Sequence, residues 1–438
     1  MQTATREAPV FDLNLLPRKR IAIVGGGISG LSAAYFLSLR HDVTLFEAER
    51  RLGGHAHSVL AGRDGGQPVD MGFIVFNYAT YPHLTRLFAE LDVPVRKSNM
   101  SFGVSIDEGR VEYALSSLGS LFAQKRNLLR PSFYRMIADI LRFGRKAEAA
   151  TGSDDMTVGE LVAELQLGTA FRDHYLLPMC GAIWSTPAAE VGRFPARTLV
   201  RFFRNHALLA GSAPHQWWTV KGGSIEYVRR LEKALLAQGC MLQTGSPVQA
   251  VRRDSHEVRL TAAGSQSAFD EVVFACHSDQ ALTILGEAAS EQETAALETI
   301  RYRPNRVVLH ADPSLMPKRR ACWSSWNYFA QEGAVGVTYW MNQLQGIPES
   351  DPLFVSLNPT RRIAEETVYR ELTFAHPAFD TAAIRAQQRI AEIQGRNRTW
   401  YCGAYNRFGF HEDGIASSLR VVRRIGLGAQ GGEKGIAA

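Results

Sequence analysis

Residues 21–47 read IAIVGGGISGLSAAYFLSLRHDVTLFE, and this stretch decides the fold. Ile21–Val24 is an apolar run after the cations Arg18, Lys19 and Arg20, the pattern of a strand covered on both faces. Three glycines follow, then helical spacing from about Ser29 to Leu39, then a second strand over His41–Glu47. The opening is therefore a βαβ unit. Within Gly25-Gly26-Gly27-Ile28-Ser29-Gly30, Gly25 allows a tight turn out of the strand, and Gly27 lets backbone approach a diphosphate. Gly30 and Ala34 let the helix pack close to the sheet, and the helix N-terminus offers oriented N–H groups with a partial positive charge. Glu47 closes the second strand 17 residues beyond Gly30, where a carboxylate accepts hydrogen bonds from a ribose and disfavours a 2′-phosphate. A glycine loop holding no nucleotide is the bland alternative; the strand, helix and acid in register argue against it.

Two further stretches extend this reading. Arg51-Leu52-Gly53-Gly54-His55 places paired glycines just past the ribose acid, so that backbone can pass beside a bulky cofactor. Alone it is only a turn, but one large group of FAD enzymes carries such a stretch at this spacing. Near the C-terminus, Trp400–Tyr405 is followed by Gly409-Phe410-His411-Glu412-Asp413-Gly414 and a helix over Gly414–Ile425. A second strand–glycine–helix unit can aim another helix N-terminus at the cofactor. The alternative is an ordinary strand–loop–helix with Asp413 as its N-cap.

The 438 residues exceed what one core supports, so two interlocked domains are expected. Hydrophobic residues at 45% and charged residues at 21% are those of a globular chain, which excludes disorder. Residues 1–17 read as a loose tail without the apolar core and cleavage site of a secretory signal, and no apolar run could span a bilayer. Cys180, Cys240, Cys276, Cys322 and Cys402 are scattered, odd in number and unpaired by spacing, so neither a metal site nor a disulfide framework is expected. A cytoplasmic location follows. Helical spacing recurs at 81–91, 119–150 (interrupted near Pro131), 158–165, 197–209 and 224–238. Strands are expected at 248–253, 257–262, 271–275, 306–310, 336–341, 354–357 and 399–403.

The three glycine motifs, in this order between Ile21 and Ile425, resemble the flavin-containing amine oxidase superfamily, with its protoporphyrinogen oxidases and phytoene-type desaturases. Asp70-Met71-Gly72-Phe73-Ile74-Val75-Phe76-Asn77, Thr219-Val220-Lys221-Gly222-Gly223-Ser224 and Gly409–Gly414 are similar to one bacterial branch. That branch is similar to the oxidase-like region fused to plant cyclopropane fatty acid synthases, and it accompanies enzymes that methylate phospholipid acyl chains. The resemblance implies an α/β fold: a Rossmann-type FAD-binding domain from residues 18–82, 210–282 and 392–430, interleaved with an α+β substrate domain from 83–209 and 283–391. It implies that Gly25, Gly27, Ile28, Ser29 and Gly30 hold the pyrophosphate of FAD, and Glu47 with Ala48 the adenosine ribose. Gly53, Gly54 and His55 would run beside the flavin, as would Gly72, Phe73, Ile74 and Val75. Val248 would pack on the adenine. Gly403, Asp413, Gly414 and Ile415 would close over the ribityl chain and pyrimidine edge.

The chain departs from the amine oxidase pattern where His55 replaces an arginine, Ala404 a glutamate and His411 an aromatic. The strand around Tyr302–His310 has no lysine; Asn305 or Arg306 occupies that position. The altered apparatus argues for a substrate other than an amine. His411 is the candidate catalytic residue, handling a proton near the flavin, or else a histidine that hydrogen-bonds a neighbouring loop. Glu412 reads as a helix N-terminal charge and Cys402 as a small buried hydrophobe. His206, His215, His310 and His376 lack ligand spacing and read as structural.

Between Ser116 and Lys146 lie seven cations and one acid, Asp139, among Leu, Phe, Tyr and Ile. Arg193, Arg197, Arg201 and Arg204 recur at helical spacing beside Phe194, Phe202 and Phe203. Such segments suit an anionic membrane interface, with 116–146 the membrane-facing region; the alternative is a solvated basic face over ordinary core. No motif accompanies the charge that would bind nucleic acid. The expectation is an FAD oxidoreductase that oxidises or desaturates a modified phospholipid acyl chain by hydride transfer, peripheral on the inner membrane face and partnered by a lipid methyltransferase. A soluble amine oxidase and a non-catalytic flavin-binding partner of that methyltransferase are the rivals.

Overall fold

The computed structural model describes residues 17–427 except 154, 185–187, 210–213 and 332–333; all of the expected tail but Pro17 lies outside them. Arg20–Val24 (β1) is the middle strand of a five-stranded parallel sheet, with Ile21, Ala22 and Ile23 wholly buried. Asp42–Phe46 (β2) pairs on one side, Ile21 opposite Val43, and Glu271–Phe274 on the other, Ile21 opposite Glu271. Met241–Gln243 and Thr399–Tyr401 form the edges. Segments more than 350 residues apart thus share one ladder, and the all-apolar β1 is explained by cover on both faces.

Ile28–Leu37 (α1) leaves β1 through the glycines and packs on the sheet by its small residues. Pro82–Glu90 (α2), Pro131–Ala150 (α3), Ala196–Asn205 (α4), Ile225–Ala237 (α5) and His411–Leu427 (α6) are the other helices that matter here. Where α1 and α6 cross, the hydroxyls of Ser32 and Ser418 lie 2.7 Å apart.

A second, seven-stranded sheet runs in the order 368–377, 302–310, 354–357, 334–340, 326–331, 102–106, 111–114. Its pairs are antiparallel except 326–331 with 102–106. Its inner face packs on helices through a large apolar core that includes Phe143, Phe171 and Phe203.

The helical stretch expected at 119–150 is interrupted before Pro131 as read: a short helix Leu118–Leu121 and a turn Lys125–Leu129 precede α3, which starts at Pro131 because proline's missing N–H and fixed φ suit a first helical position. Two other expectations are corrected in detail. The last helix starts at His411 rather than Gly414, so Asp413 is a first-turn residue and not the N-cap. The strands 102–106, 111–114, 326–331 and 368–377 were not expected, since their mixed polarity hides the period of two. Among the described residues no helix is long and apolar enough to cross a membrane.

Candidate active site

The site begins at the glycine turn. Gly25 takes φ +111°, and a Cβ there would press on the Ala275 backbone at 2.9 Å. A Cβ on Gly30 would overlap the Gly25 carbonyl oxygen, so the turn and the first helical turn interlock. Gly27 caps α1 with no side-chain cap, which leaves the first-turn N–H groups to a ligand. Gly54 faces it: a Cβ on Gly27 would meet nothing nearer than the Gly54 Cα at 3.9 Å. Gly53 N–H donates to the Gly26 carbonyl at 2.8 Å and locks this second glycine pair alongside the first. Glu47 accepts Gly26 N–H at 2.6 Å and Glu49 N–H at 2.8 Å, so its carboxylate is held at the lip of the turn with lone pairs to spare. Ala48 beside it is exposed.

α6 brings a second helix N-terminus to the same place. A Cβ on Gly414 would lie 2.8 Å from Ser29 Oγ, so the two helix starts abut. Ile415 is wholly buried behind this contact. Gly403 lies one layer back, its N–H donating to Ser417 Oγ at 3.3 Å. Asp413 accepts Phe410 N–H at 3.0 Å and Phe408 N–H at 3.2 Å, and burial pushes its carboxyl up to about 6. Glu412 turns away to cap α2, accepting His83 N–H and Leu84 N–H at 3.0 Å each; burial pushes it up to about 7. Val248 opens the strand 248–253, and Ser246 N–H donates to the Glu47 carbonyl at 2.9 Å, which sets this segment beside Glu47.

His411 is pinned. Its ring stacks on Phe73 at 3.9 Å, and its Nε2 lies 3.0 Å from the Tyr227 hydroxyl on α5. Burial lowers its pKa to about 3, so the ring is neutral at ordinary pH. The loop carrying Phe73 is tied to the glycine cleft, since Phe73 N–H donates to the His55 carbonyl at 2.9 Å. A Cβ on Gly72 would overlap that same carbonyl. Ile74 and Val75 belong instead to the apolar core beneath the seven-stranded sheet, the Ile74 carbonyl taking the Thr219 hydroxyl at 2.8 Å. Asp70 binds Ser224 N–H at 2.8 Å, the Ser58 hydroxyl at 2.5 Å and Gln345 Nε2 at 3.0 Å, which explains why the 70–77 and 219–224 motifs occur together.

Sequence reasoning missed the ring wall around His55. Phe374 lies 4.8 Å from the His55 ring, His376 5.5 Å and His277 6.2 Å, and His277 stacks on Tyr302 at 4.3 Å. Burial drives His55 well below the usual imidazole range and His376 down to about 4. The groups acting most on His55 are three imidazoles and Arg51, none of them acidic. The alternation Leu372, Phe374, His376 was the available signal. Asn305 pairs across the ladder with Phe374 and so shares its face; it is 1% exposed, and its Oδ1 accepts Asn358 Nδ2 at 2.8 Å. Arg306 points to solvent and forks onto Glu371 with two 2.8 Å bonds. Of the two candidates, Asn305 therefore faces the ring wall and Arg306 faces solvent. Among the described residues no group of three His, Cys, Asp or Glu could hold a metal ion.

A βαβ glycine turn, a carboxylate at the end of its second strand and two converging helix N-termini define a dinucleotide-binding fold, and the opposed Gly27 and Gly54 make a cradle that a Cβ would fill, so the residues fit FAD. The profile of the flavin containing amine oxidoreductase family matches residues 28–349, and the chain belongs to that family; by class it is an FAD-dependent oxidoreductase. It is 30% identical over 183 residues to coproporphyrinogen III oxidase of Mycobacterium leprae (strain TN), covering 39% of this chain and 38% of that one. It is 50% identical over 58 residues to protoporphyrinogen oxidase of Saccharomyces cerevisiae, covering 13% and 11%. The chain thus spans well under half of these curated relatives. The fold is shared with the CLA-producing fatty acid isomerase from P. acnes, at TM-score 0.67 and 16% identity over 92% of this chain and 98% of that one. It is shared also with cyclohexylamine oxidase from Brevibacterium oxydans IH-35A, at TM-score 0.66 and 15% identity over 94% and 99%.

Proposed function

We propose that this protein removes a hydride from an unactivated or allylic C–H bond of an apolar substrate, a methyl-branched or otherwise modified fatty acyl chain. The observation that carries this reading is the ring wall around His55: half-buried rings from strand 368–377 and from Tyr302 and His277, with buried Asn305 opposite Phe374 and no lysine on strand 302–310. An ammonium group brought among these rings would lose hydration against imidazole and aromatic side chains, the acid Asp279 that acts on His277 being exposed to solvent, a cost that an alkyl chain does not face. Bound FAD supplies the two-electron acceptor. In this reading Gly25–Gly30 and Gly54 hold the diphosphate, Glu47 the ribose, and His55, Gly72, Phe73 and Gly414 the flavin edge. Segments 18–82, 210–282 and 392–430 make the cofactor half, and the seven-stranded sheet walls the substrate. His411, neutral and fixed by Tyr227, positions Phe73. The fatty acid isomerase with this fold supports an acyl ligand, and the resemblance noted above supports a lipid methyltransferase as the enzyme that supplies it.

The test is anaerobic bleaching of the purified flavoprotein. Phospholipids bearing methyl-branched or cyclopropane acyl chains should reduce it, and primary amines should not. Reduction by amines alone would return the protein to the amine oxidases. Reduction by neither, with flavin still bound, would favour a non-catalytic partner.

A further inference from the structure

We propose that the surface built by residues 115–145 docks onto an anionic phospholipid bilayer. Half of the large apolar side chains left exposed among the described residues fall there: Leu115, Leu118, Leu128, Leu129, Tyr134 and Leu141. Leu118 is 77% exposed and Leu129 86%, on a protein whose other segments show such side chains singly. They are mounted on a rigid base. Asn127, wholly buried in the same turn as Leu128 and Leu129, donates to the Glu112 carbonyl at 3.1 Å. The Tyr134 hydroxyl donates to the Leu128 carbonyl at 3.0 Å, and Phe122 braces both Phe133 at 5.7 Å and Tyr134 at 5.9 Å. The leucine tips are therefore held outward, not left loose.

Cations surround the tips. Lys125, Arg126, Arg135 and Arg145 are exposed, and none of them forms an ion pair with an acid among the described residues. Beside them a shallow recess of about 640 Å³ is lined by Arg110, Arg126, Lys318 and Arg319 together with Asp107 and Glu108. Arg110 pairs with Asp107 and Arg319 with Glu112; exposed Lys318, and Arg126 through the donors it does not give to the Gly109 and Arg110 carbonyls, offer charge to an incoming phosphate. Apolar tips within one turn of cations match the layering of a bilayer surface, where acyl chains lie just beneath phosphates. The contrast with α4 makes the assignment specific. Arg197, Arg201 and Arg204 are exposed there too, but Phe194, Phe202 and Phe203 are buried, so that face is solvated charge over core.

This inference does not rest on the acyl-chain reading; a water-soluble substrate would leave the surface unchanged. The test is flotation of the full-length flavoprotein with phosphatidylcholine vesicles, with and without phosphatidylglycerol. Binding should require the anionic lipid and weaken as salt rises. Arg126→Gln with Arg135→Gln should lower affinity about 25-fold, about five-fold per charge. Leu118→Ser with Leu129→Ser should lower it at least about ten-fold. All four side chains are exposed, so an unchanged melting temperature is the control for folding. No binding to anionic vesicles, or binding that ignores the leucine pair, would overturn the proposal. So would a dimer in light scattering that Leu129→Ser dissolves, which would assign the face to a second copy of the chain.

Discussion

Replacing Gly27 with alanine should leave the fold intact and weaken the protein's hold on its flavin. Gly27 sits at φ −76° and ψ −175°, extended backbone that any residue adopts. The new Cβ would meet only the Gly54 Cα, at 3.9 Å, which is ordinary contact. Less freedom in the unfolded chain then stabilises the apo-protein by about 0.4–1 kcal/mol. The ligand fares differently. A diphosphate resting on the N–H groups of α1 must move off by the width of a methyl group. Loss of one charge-assisted hydrogen bond costs about 1.5–3 kcal/mol, a rise in Kd of about 10- to 150-fold. Gly30→Ala is the matched control, because its Cβ would overlap the Gly25 carbonyl oxygen and press on the Ala275 side chain at 3.3 Å. There the helix must lift from the turn, at about 1–3 kcal/mol of folding free energy or more. FAD titration of apo-protein followed by fluorescence quenching, with thermal melts of the same samples, separates the two effects. Native affinity in Gly27→Ala would refute the cradle. A large drop in its melting temperature would show that Gly27 serves packing instead.

Three other outcomes are expected. Arg253 and Glu293 form a buried bidentate pair at 2.6 and 3.0 Å, with side chains 3% and 2% exposed, so Arg253→Met should cost about 3–5 kcal/mol in denaturant unfolding by stranding the carboxylate. Glu412 titrates at about 7 in the fold against an ordinary 4.5, so its contribution to stability is full below about pH 4.5 and is lost as pH rises towards 7. Glu412→Gln keeps an acceptor for the α2 amides but cannot ionise; its melting temperature relative to the native protein should therefore climb across that window, and a flat difference would contradict the shift. His411 has a pKa near 3, so His411→Phe, which retains the stack on Phe73, should lower the rate without removing any inflection between pH 5 and 8 from the kcat/KM profile.

Local elements and the cofactor were legible because each is specified by neighbours in sequence. The run of Ile21–Val24, the glycines after it and Glu47 at the end of β2 fix conformations and donors within thirty residues, and the structure assembles them as read. Asp413 shows the limit of such reading. Its type suits an N-cap, but α6 starts at His411, because the carboxylate reaches back to Phe408 and Phe410 N–H from inside the first turn. Helix starts are decided by which amides find partners, and that is a matter of three-dimensional supply.

The sequence alone determined the dinucleotide turn and the basic character of two segments, since these follow from residue type and spacing, and its family resemblance implied FAD. Only the tertiary structure decided which face of strand 302–310 looks inward, and so that Asn305 is buried opposite Phe374 while Arg306 meets solvent and Glu371. It alone gathered His55, His277 and His376 from three remote segments and lowered their pKa values by desolvation. It alone separated the leucines left in solvent near α3 from the phenylalanines buried under α4. The physical reason is common to all three. Spacing along a chain sets which side chains share a face, but whether that face meets water, core or another ring depends on what packs against it, and the packing partner is written hundreds of residues away.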